Sequence, residues 1–251
     1  MKKSVFLKTA ILAAQKAGVL SHKYFNKKIK ISYKDKNEIV TEVDQLCEKI
    51  IIKTISKKFP DHSFFCEESG ESLKNKEFKW IIDPIDGTFM YSKGINTYGI
   101  SIALEKNKTI ICGVVLFPEM NKLYFSEKGK GSFLNNHKIK VSTQNHTKPL
   151  FLICSEMTRY PSLMKKLSCN NRKRDIYLKD FGSTTLHLCM VAEGKADACF
   201  AYNIKPFDIA AGILIVREAG GIIITPEGKP ATFKDNKIIA RSKKIKRTDL
   251  I

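Results

Sequence analysis

One stretch limits this chain more than any other. Trp80-Ile81-Ile82-Asp83-Pro84-Ile85-Asp86-Gly87-Thr88 runs from an apolar strand into two carboxylates, a tight Gly turn and a hydroxyl that opens the next segment. The end of such a strand presents carboxylate oxygens at fixed positions, and the hard cation Mg²⁺ is bound by one or two carboxylates together with waters and substrate phosphate. Asp83 and Asp86 fit that need. Pro84 stiffens the bend, Gly87 lets the backbone approach an anion closely, and Thr88 is placed to cap a short helix whose N-terminal N–H groups attract phosphate. The same residues also read as an ordinary Asp-Gly turn after a buried strand, so the rest of the chain has to decide between metal-and-phosphate chemistry and a plain turn.

Three further segments end or begin in acids. Phe64-Phe65-Cys66-Glu67-Glu68-Ser69-Gly70 is a second apolar strand with carboxylates at its end, Lys205-Pro206-Phe207-Asp208-Ile209-Ala210-Ala211-Gly212 puts an Asp at the opening of an apolar helix, and Thr41-Glu42-Val43-Asp44 begins a helix with another acid. Alone each is weak, because acids favour the first helical turn for dipole reasons. Taken in this order with Asp83 to Thr88, the set resembles the inositol monophosphatase family, a branch of the Mg²⁺-dependent, Li⁺-sensitive phosphatases that includes fructose-1,6-bisphosphatases and 3'(2'),5'-bisphosphate nucleotidases. The resemblance runs over nearly the whole chain, taking in Val40 to Asp44, Gly129-Lys130-Gly131 with Asn135, and Glu218-Ala219-Gly220-Gly221 after the Asp208 segment.

The resemblance implies an α+β fold, the layered αβαβα sandwich, and a site residue by residue. Glu67, Asp83 and the main-chain carbonyl of Ile85 would hold a first Mg²⁺; Asp83, Asp86 and Asp208 a second; and a third, weaker ion would lean on Glu67 and waters. Thr88 and Asp44 would polarise the attacking water, with Glu67 beside them as a catalytic acid group, and the N–H groups of Gly87 and Thr88 would hold phosphate oxygens. Glu68 is expected outside the ligand set or in solvent. Gly182-Ser183-Thr184, within Asp180 to Thr184, resembles the loop that meets substrate hydroxyls, and reads equally well as a helix cap. Three segments depart from the family pattern: Ala201 stands where the inositol enzymes usually carry a Glu for the ring hydroxyls, Phe207 replaces a more usual Trp, and Phe89-Met90-Tyr91 replaces a Thr-Asn-Phe type sequence. These leave the metal ligands intact and put the alcohol in question. The leading expectation is a metal-dependent phosphomonoesterase for inositol monophosphate or a similar polyol phosphate. A nucleotidase acting on adenosine 3',5'-bisphosphate is its nearest rival, with Lys205 either meeting the second phosphate or simply solvated, and an RNA- or transcription-associated protein on the same fold is the reading of another class.

Composition sets the remaining bounds. With 251 residues, 43% of them hydrophobic, the chain can bury a sizeable core. No apolar run approaches the roughly 20 residues needed to span a bilayer, and Lys8, Gln15 and Lys16 interrupt the apolar start, which reads as an amphipathic helix and not a signal peptide. The seven cysteines form no Cys-x-x-Cys pair and sit mostly in apolar runs, as expected of free thiols in a reducing cytoplasm. The formal net charge of +19 raises a nucleic-acid partner, but the excess is mainly Lys spread along the chain, where Arg is the residue suited to bidentate phosphate and base contacts. The densest cluster, Arg241 to Arg247, reads as a solvated tail or a binding patch. Expected partners are thus a small phosphorylated substrate and a second copy of the chain, with nucleic acid less favoured and no membrane.

Along the chain, Val5, Ile11, Ala14 and Ala17, with Leu7, Ala10 and Val19 nearby, predict a helix to about Tyr24, and Val43 to Phe59 predicts a second, stopped by Pro60. Lys27 to Glu38 between them reads as a hairpin or mobile loop near the site entrance. Strands are predicted at Trp80–Asp83, Tyr98–Leu104, Thr109–Phe117 and Leu123–Ser126, the middle two joined as a hairpin by Lys106-Asn107-Lys108. After Ser142 the pattern alternates: strands at Leu150–Ser155, Asp175–Lys179, Ala196–Tyr202, Ile222–Thr225 and Ile238–Ala240, with helices near Ser162–Leu167, Ser183–Glu193 and Asp208–Ala219, the last closing on Gly220-Gly221. Residues 1–145 are expected to form an α+β metal- and phosphate-binding part and 146–251 an α/β part that completes the site with Asp208.

Overall fold

A computed structural model describes residues 2–34, 38–74, 76–144, 146–154, 157, 159–165, 167 and 176–246. The first helix, α1 (Val5–Tyr24), is capped by Ser4, whose hydroxyl accepts from Leu7 N–H, and α2 (Glu42–Ser56) by Thr41. Both helices lay an apolar stripe on one face of the main sheet, where Leu7, Ala10, Ala14 and Ala17 of α1 and Val43, Cys47, Ile51 and Ile55 of α2 are buried. Val5 and Val19 fall off that stripe and are 45% and 73% exposed. Their spacing from Leu7 and Ala14 turns them towards solvent, so the predicted stripe was too wide.

The Lys-rich stretch between the helices forms the predicted hairpin: β1 (Ile31–Tyr33) pairs antiparallel with β2 (Ile39–Thr41), with Ile31 opposite Thr41. The main sheet has eight strands. These are β3 (Ser63–Cys66), β4 (Gly70–Ser72), β5 (Phe78–Asp86), β6 (Gly99–Lys106), β7 (Thr109–Phe117), β8 (Lys122–Glu127), β9 (Ser132–Leu134) and β10 (His137–Ile139). They lie in the order β10-β9-β8-β7-β6-β5-β3-β4, antiparallel throughout except for the parallel β3–β5 pair. Neither the edge strand β4 nor the β9–β10 hairpin is foreshadowed in the apolar pattern. Their short runs are largely half-exposed, so no apolar alternation marks them.

The second sheet is built from β11 (Leu150–Ile153), β12 (Tyr177–Lys179), β13 (Ala198–Tyr202), β14 (Ile222–Ile224) and β15 (Lys237–Arg241), ordered β12-β11-β13-β15-β14. Ser155 and Asp175, assigned to strands by sequence, lie outside the described residues, as do Lys166 of the expected Ser162–Leu167 helix and Arg247 of the basic cluster. Between the two sheets sit α4 (Thr184–Ala192) and α5 (Pro206–Glu218), almost entirely apolar and buried. A helix buried on all sides carries no polar face. Gly113 of β7 lets the backbone of α5 approach closely, since a Cβ there would come within 3.0 Å of the Ala211 carbonyl oxygen. On the far side of the second sheet, residues 161–165 add a helical turn whose Leu163 and Met164 pack beside Phe151, Phe200 and Ile239. The layers therefore run helix, sheet, helix, sheet, helix. No helix among the described residues is long and apolar enough to cross a membrane.

Candidate active site

Strand alternation aims the acids. Along β5, Trp80 and Ile82 face α1 and α2, whereas Ile81 faces the central helix layer, so Asp83 follows Ile81 towards α5. Strand β3 repeats the pattern: Phe64 and Cys66 turn to the first helices and Phe65 to Phe207 of α5, with ring centroids 5.8 Å apart. Glu67 continues on that side, held to β5 by its N–H donating to the Ile82 carbonyl at 3.1 Å. Helix α5 supplies Asp208 in its first turn, where Oδ2 accepts from the Lys205 N–H at 2.6 Å. A break in register between Asp83 and Asp86 turns the end of β5, and Gly87 follows in a left-handed conformation, φ 86°.

Gly87 and not Thr88 is thus the N-cap of the short helix α3 (Thr88–Ser92), which corrects the capping role expected of Thr88. Freed from capping, the Thr88 hydroxyl lies 3.0 Å from Asp44 Oδ1 and 2.9 Å from the Ile85 carbonyl oxygen. Asp44 is fixed in turn by Thr41, whose N–H and hydroxyl donate to Oδ2 at 2.9 and 2.5 Å. Thr41 and Asp44 thus form a reciprocal cap at the start of α2. Burial pushes the Asp44 carboxyl up to about 6 against these hydrogen bonds.

Asp83, Asp86 and Asp208 are all raised above the ordinary carboxylate range. Burial is the first cause at each, and like charges add to it: Glu67, Asp86 and Asp208 around Asp83; Glu67 near Asp86; Asp86 and Glu67 near Asp208. Donors from the surrounding elements orient these acids, and Glu67 also bonds the Asp83 side chain. Asp83 Oδ1 accepts from Ile85 N–H at 3.0 Å; Asp86 Oδ2 accepts from the Ser183 hydroxyl at 2.5 Å, the Thr185 N–H at 2.8 Å and the Thr185 hydroxyl. Among the described residues no three His, Cys, Asp or Glu side chains converge into a ready ligand cluster. The donor chemistry nonetheless fits a hard divalent cation: buried, like-charged oxygens with no soft or nitrogen donor among them.

Sequence reasoning missed Lys34. Its ammonium reaches from the end of β1 to Glu67 Oε1 at 2.9 Å and Glu68 Oε1 at 2.6 Å. Burial alone would lower it, but the two carboxylates outweigh burial and hold it above its ordinary value. Glu68 is buried enough to be raised to about 7; it is paired with Lys34 and not left in solvent. Thr185 was also missed, since a hydroxyl inside a helix bonding a carboxylate 99 residues away leaves no local signal.

Beside the acids opens a cleft of about 160 Å³ lined by Asp180, Gly182, Ser183, Thr184, His187, Tyr202 and Asn203 together with Asp86 and Asp208. Ser183 caps α4, its oxygen accepting from Leu186 N–H at 3.1 Å while its hydrogen goes to Asp86. Its hydroxyl is therefore occupied by the protein. Ala201 is fully buried in β13 within the core that includes Leu152, Leu186 and Ile238. The next residues along the chain, Tyr202 and Asn203, line the cleft. Lys205 is 57% exposed, its ammonium 3.6 Å from Glu38 Oε2 and 5.8 Å from the centre of the Phe207 ring.

The profile of the inositol monophosphatase family matches residues 2–251. The chain belongs to that family. Among its relatives, the Nus factor SuhB of Haemophilus influenzae is 35% identical over 246 residues, covering 95% of this chain and 92% of that protein. An inositol monophosphatase of Mesembryanthemum crystallinum is 33% identical over 252 residues, covering 97% and 93%. The fold of this inositol monophosphatase family member superposes on that of the Thermotoga maritima IMPase with a TM-score of 0.90 at 29% identity, covering 98% and 96% of the two chains. The extragenic suppressor protein suhB of Bartonella henselae gives 0.91 at 31%, covering 98% and 97%.

Proposed function

We propose that this chain is a Mg²⁺-dependent phosphomonoesterase acting on a small polyol phosphate, with inositol monophosphate as the lead substrate. The observation that carries the reading is the set of mutually repelling carboxylates, half-buried Glu67 with Asp83, Asp86 and Asp208, beside the Thr88–Asp44 pair. Glu67, Asp83, Asp86, Asp208 and the Ile85 carbonyl would hold two divalent cations, with a third leaning on Glu67. When bound, such ions neutralise phosphate charge and lower the pKa of a water.

The chain's own groups do the rest. With Asp44 taking the hydroxyl hydrogen of Thr88, the Thr88 oxygen keeps lone pairs for an O–H of the attacking water and orients it in line with the phosphorus. The N–H groups of Gly87 and Thr88 would take phosphate oxygens, fixed by the left-handed turn at Gly87. The alcohol would occupy the cleft under Gly182, Ser183 and Thr184, where the polar groups of Asp180 and Asn203 are the available partners for hydroxyls.

A second reading, an RNA- or transcription-associated role, is favoured by the net charge of +19 and by relatives that bear the name Nus factor SuhB. Turnover of inositol 1-phosphate and of adenosine 3',5'-bisphosphate with Mg²⁺ tests the first reading and its nucleotidase rival together. Faster release of phosphate from the inositol ester is expected, and the reverse preference would assign the nucleotidase. Failure of both substrates, with salt-sensitive RNA binding kept by Asp86→Asn, would favour the second reading.

A further inference from the structure

Helix α5 carries Asp208 in its first turn and Arg217 in its last, roughly 14 Å further along the axis at 1.5 Å per residue. At that far end lies a separate cleft of about 290 Å³. Three cations line it: Lys108 from the β6–β7 turn, Lys128 from the turn after β8, and Arg217. Among the described residues neither lysine makes an ion pair, and the guanidinium of Arg217 has only the Ala231 carbonyl as a hydrogen-bond partner. Arg217 stands at the exposed edge of the cleft, and the desolvation its guanidinium meets there pulls it below its ordinary value. The one acid in the lining, Glu218, is already engaged: its two oxygens accept the N–H groups of Gly129 and Gly131 at 2.8 Å each. A basic residue at a helix C-terminus has a dipole role of its own, but that accounts for neither the lysines nor the cavity.

The floor of the cleft is apolar, formed by Ile110, Leu214 and Phe233. A guanidinium without a carboxylate partner favours an anion that can take its forked donors, and an apolar floor favours an occupant with an apolar body. The volume sits at the small end of ligand pockets. We propose that this cleft binds a small organic anion with an apolar body, the acid end held by Arg217, Lys108 and Lys128 and the body laid on Ile110, Leu214 and Phe233.

Fluorescence titration of the full chain with 8-anilinonaphthalene-1-sulfonate, a dye of that chemistry, tests the site. One saturable binding event is expected, with octanoate displacing the dye at least tenfold more effectively than either 1-octanol or inorganic phosphate. Lys108→Gln combined with Lys128→Gln, which touches no packed residue, should weaken both dye and octanoate at least tenfold, and Arg217→Gln should do so further. Equal displacement by 1-octanol would reduce the cleft to an apolar patch, and equal displacement by phosphate to a non-selective anion contact; either result overturns the proposal. So does unchanged dye affinity in the double lysine variant.

Discussion

Lys34→Met should tighten divalent-cation binding. The Lys34 ammonium lies 2.9 Å from Glu67 and 2.6 Å from Glu68, with the three side chains 24%, 12% and 8% exposed. A unit charge about 4 Å from a second one interacts by about 4 kcal/mol at an effective dielectric of 20, and solvent contact reduces a pair of this exposure towards about 1 kcal/mol. Any cation that takes the Glu67 oxygen has to displace this ammonium and then bind beside it. Removing the charge while keeping the apolar stem therefore lowers the cost by about 1–2 kcal/mol, roughly 5–30-fold in Kd. Isothermal titration calorimetry with Mg²⁺ and Mn²⁺ reads this directly, without substrate. Unchanged or weaker binding in Lys34→Met would refute the idea that Lys34 and the cation compete for Glu67.

Two further predictions concern residues around the cleft. Ala201→Glu should lower the unfolding free energy by about 3 kcal/mol or more in urea titration, because it drives a carboxyl into a core where residue 201 has no exposure; parent-like stability with a changed substrate preference would instead place that side chain in the cleft. Burial holds His187 at about 4 against an ordinary 6.5, so between those values the unfolded chain binds more protons than the folded one. The stability tied to this group is fully present above pH 6.5 and lost as the pH falls towards 4, by up to about 3 kcal/mol. His187→Phe should flatten the dependence of the urea midpoint on pH across that window, and an unaltered slope would show that other groups set it.

The helices and central strands were legible because apolar periodicity reports burial, and the acids because a carboxylate at the end of an apolar strand has few structural reasons to be there. Asp83 and Glu67 even declare their side of the sheet through the alternation of Ile81 and Phe65. Contacts made across the fold were not legible. Lys34 sits in a run of lysines with no local mark to distinguish it, and its partners are 33 and 34 residues away. The claim of Ser183 and Thr185 on Asp86 spans 97 and 99 residues. Thr88 was misplaced as a cap because Gly87 takes that position by adopting a backbone conformation that other residues avoid.

Mg²⁺-dependent phosphate release by the parent chain, Asp86→Asn and Asp208→Asn tests the metal-site reading most directly. Asn keeps a carbonyl oxygen for Ser183 and Thr185 at position 86 and for the Lys205 N–H at position 208, and each change removes one of several buried like charges. Both variants should therefore unfold at or above the parent temperature when divalent cations are chelated, while losing phosphatase activity. Turnover at the parent rate with Mg²⁺ by either variant would contradict the assignment of these carboxylates to the catalytic metal ions.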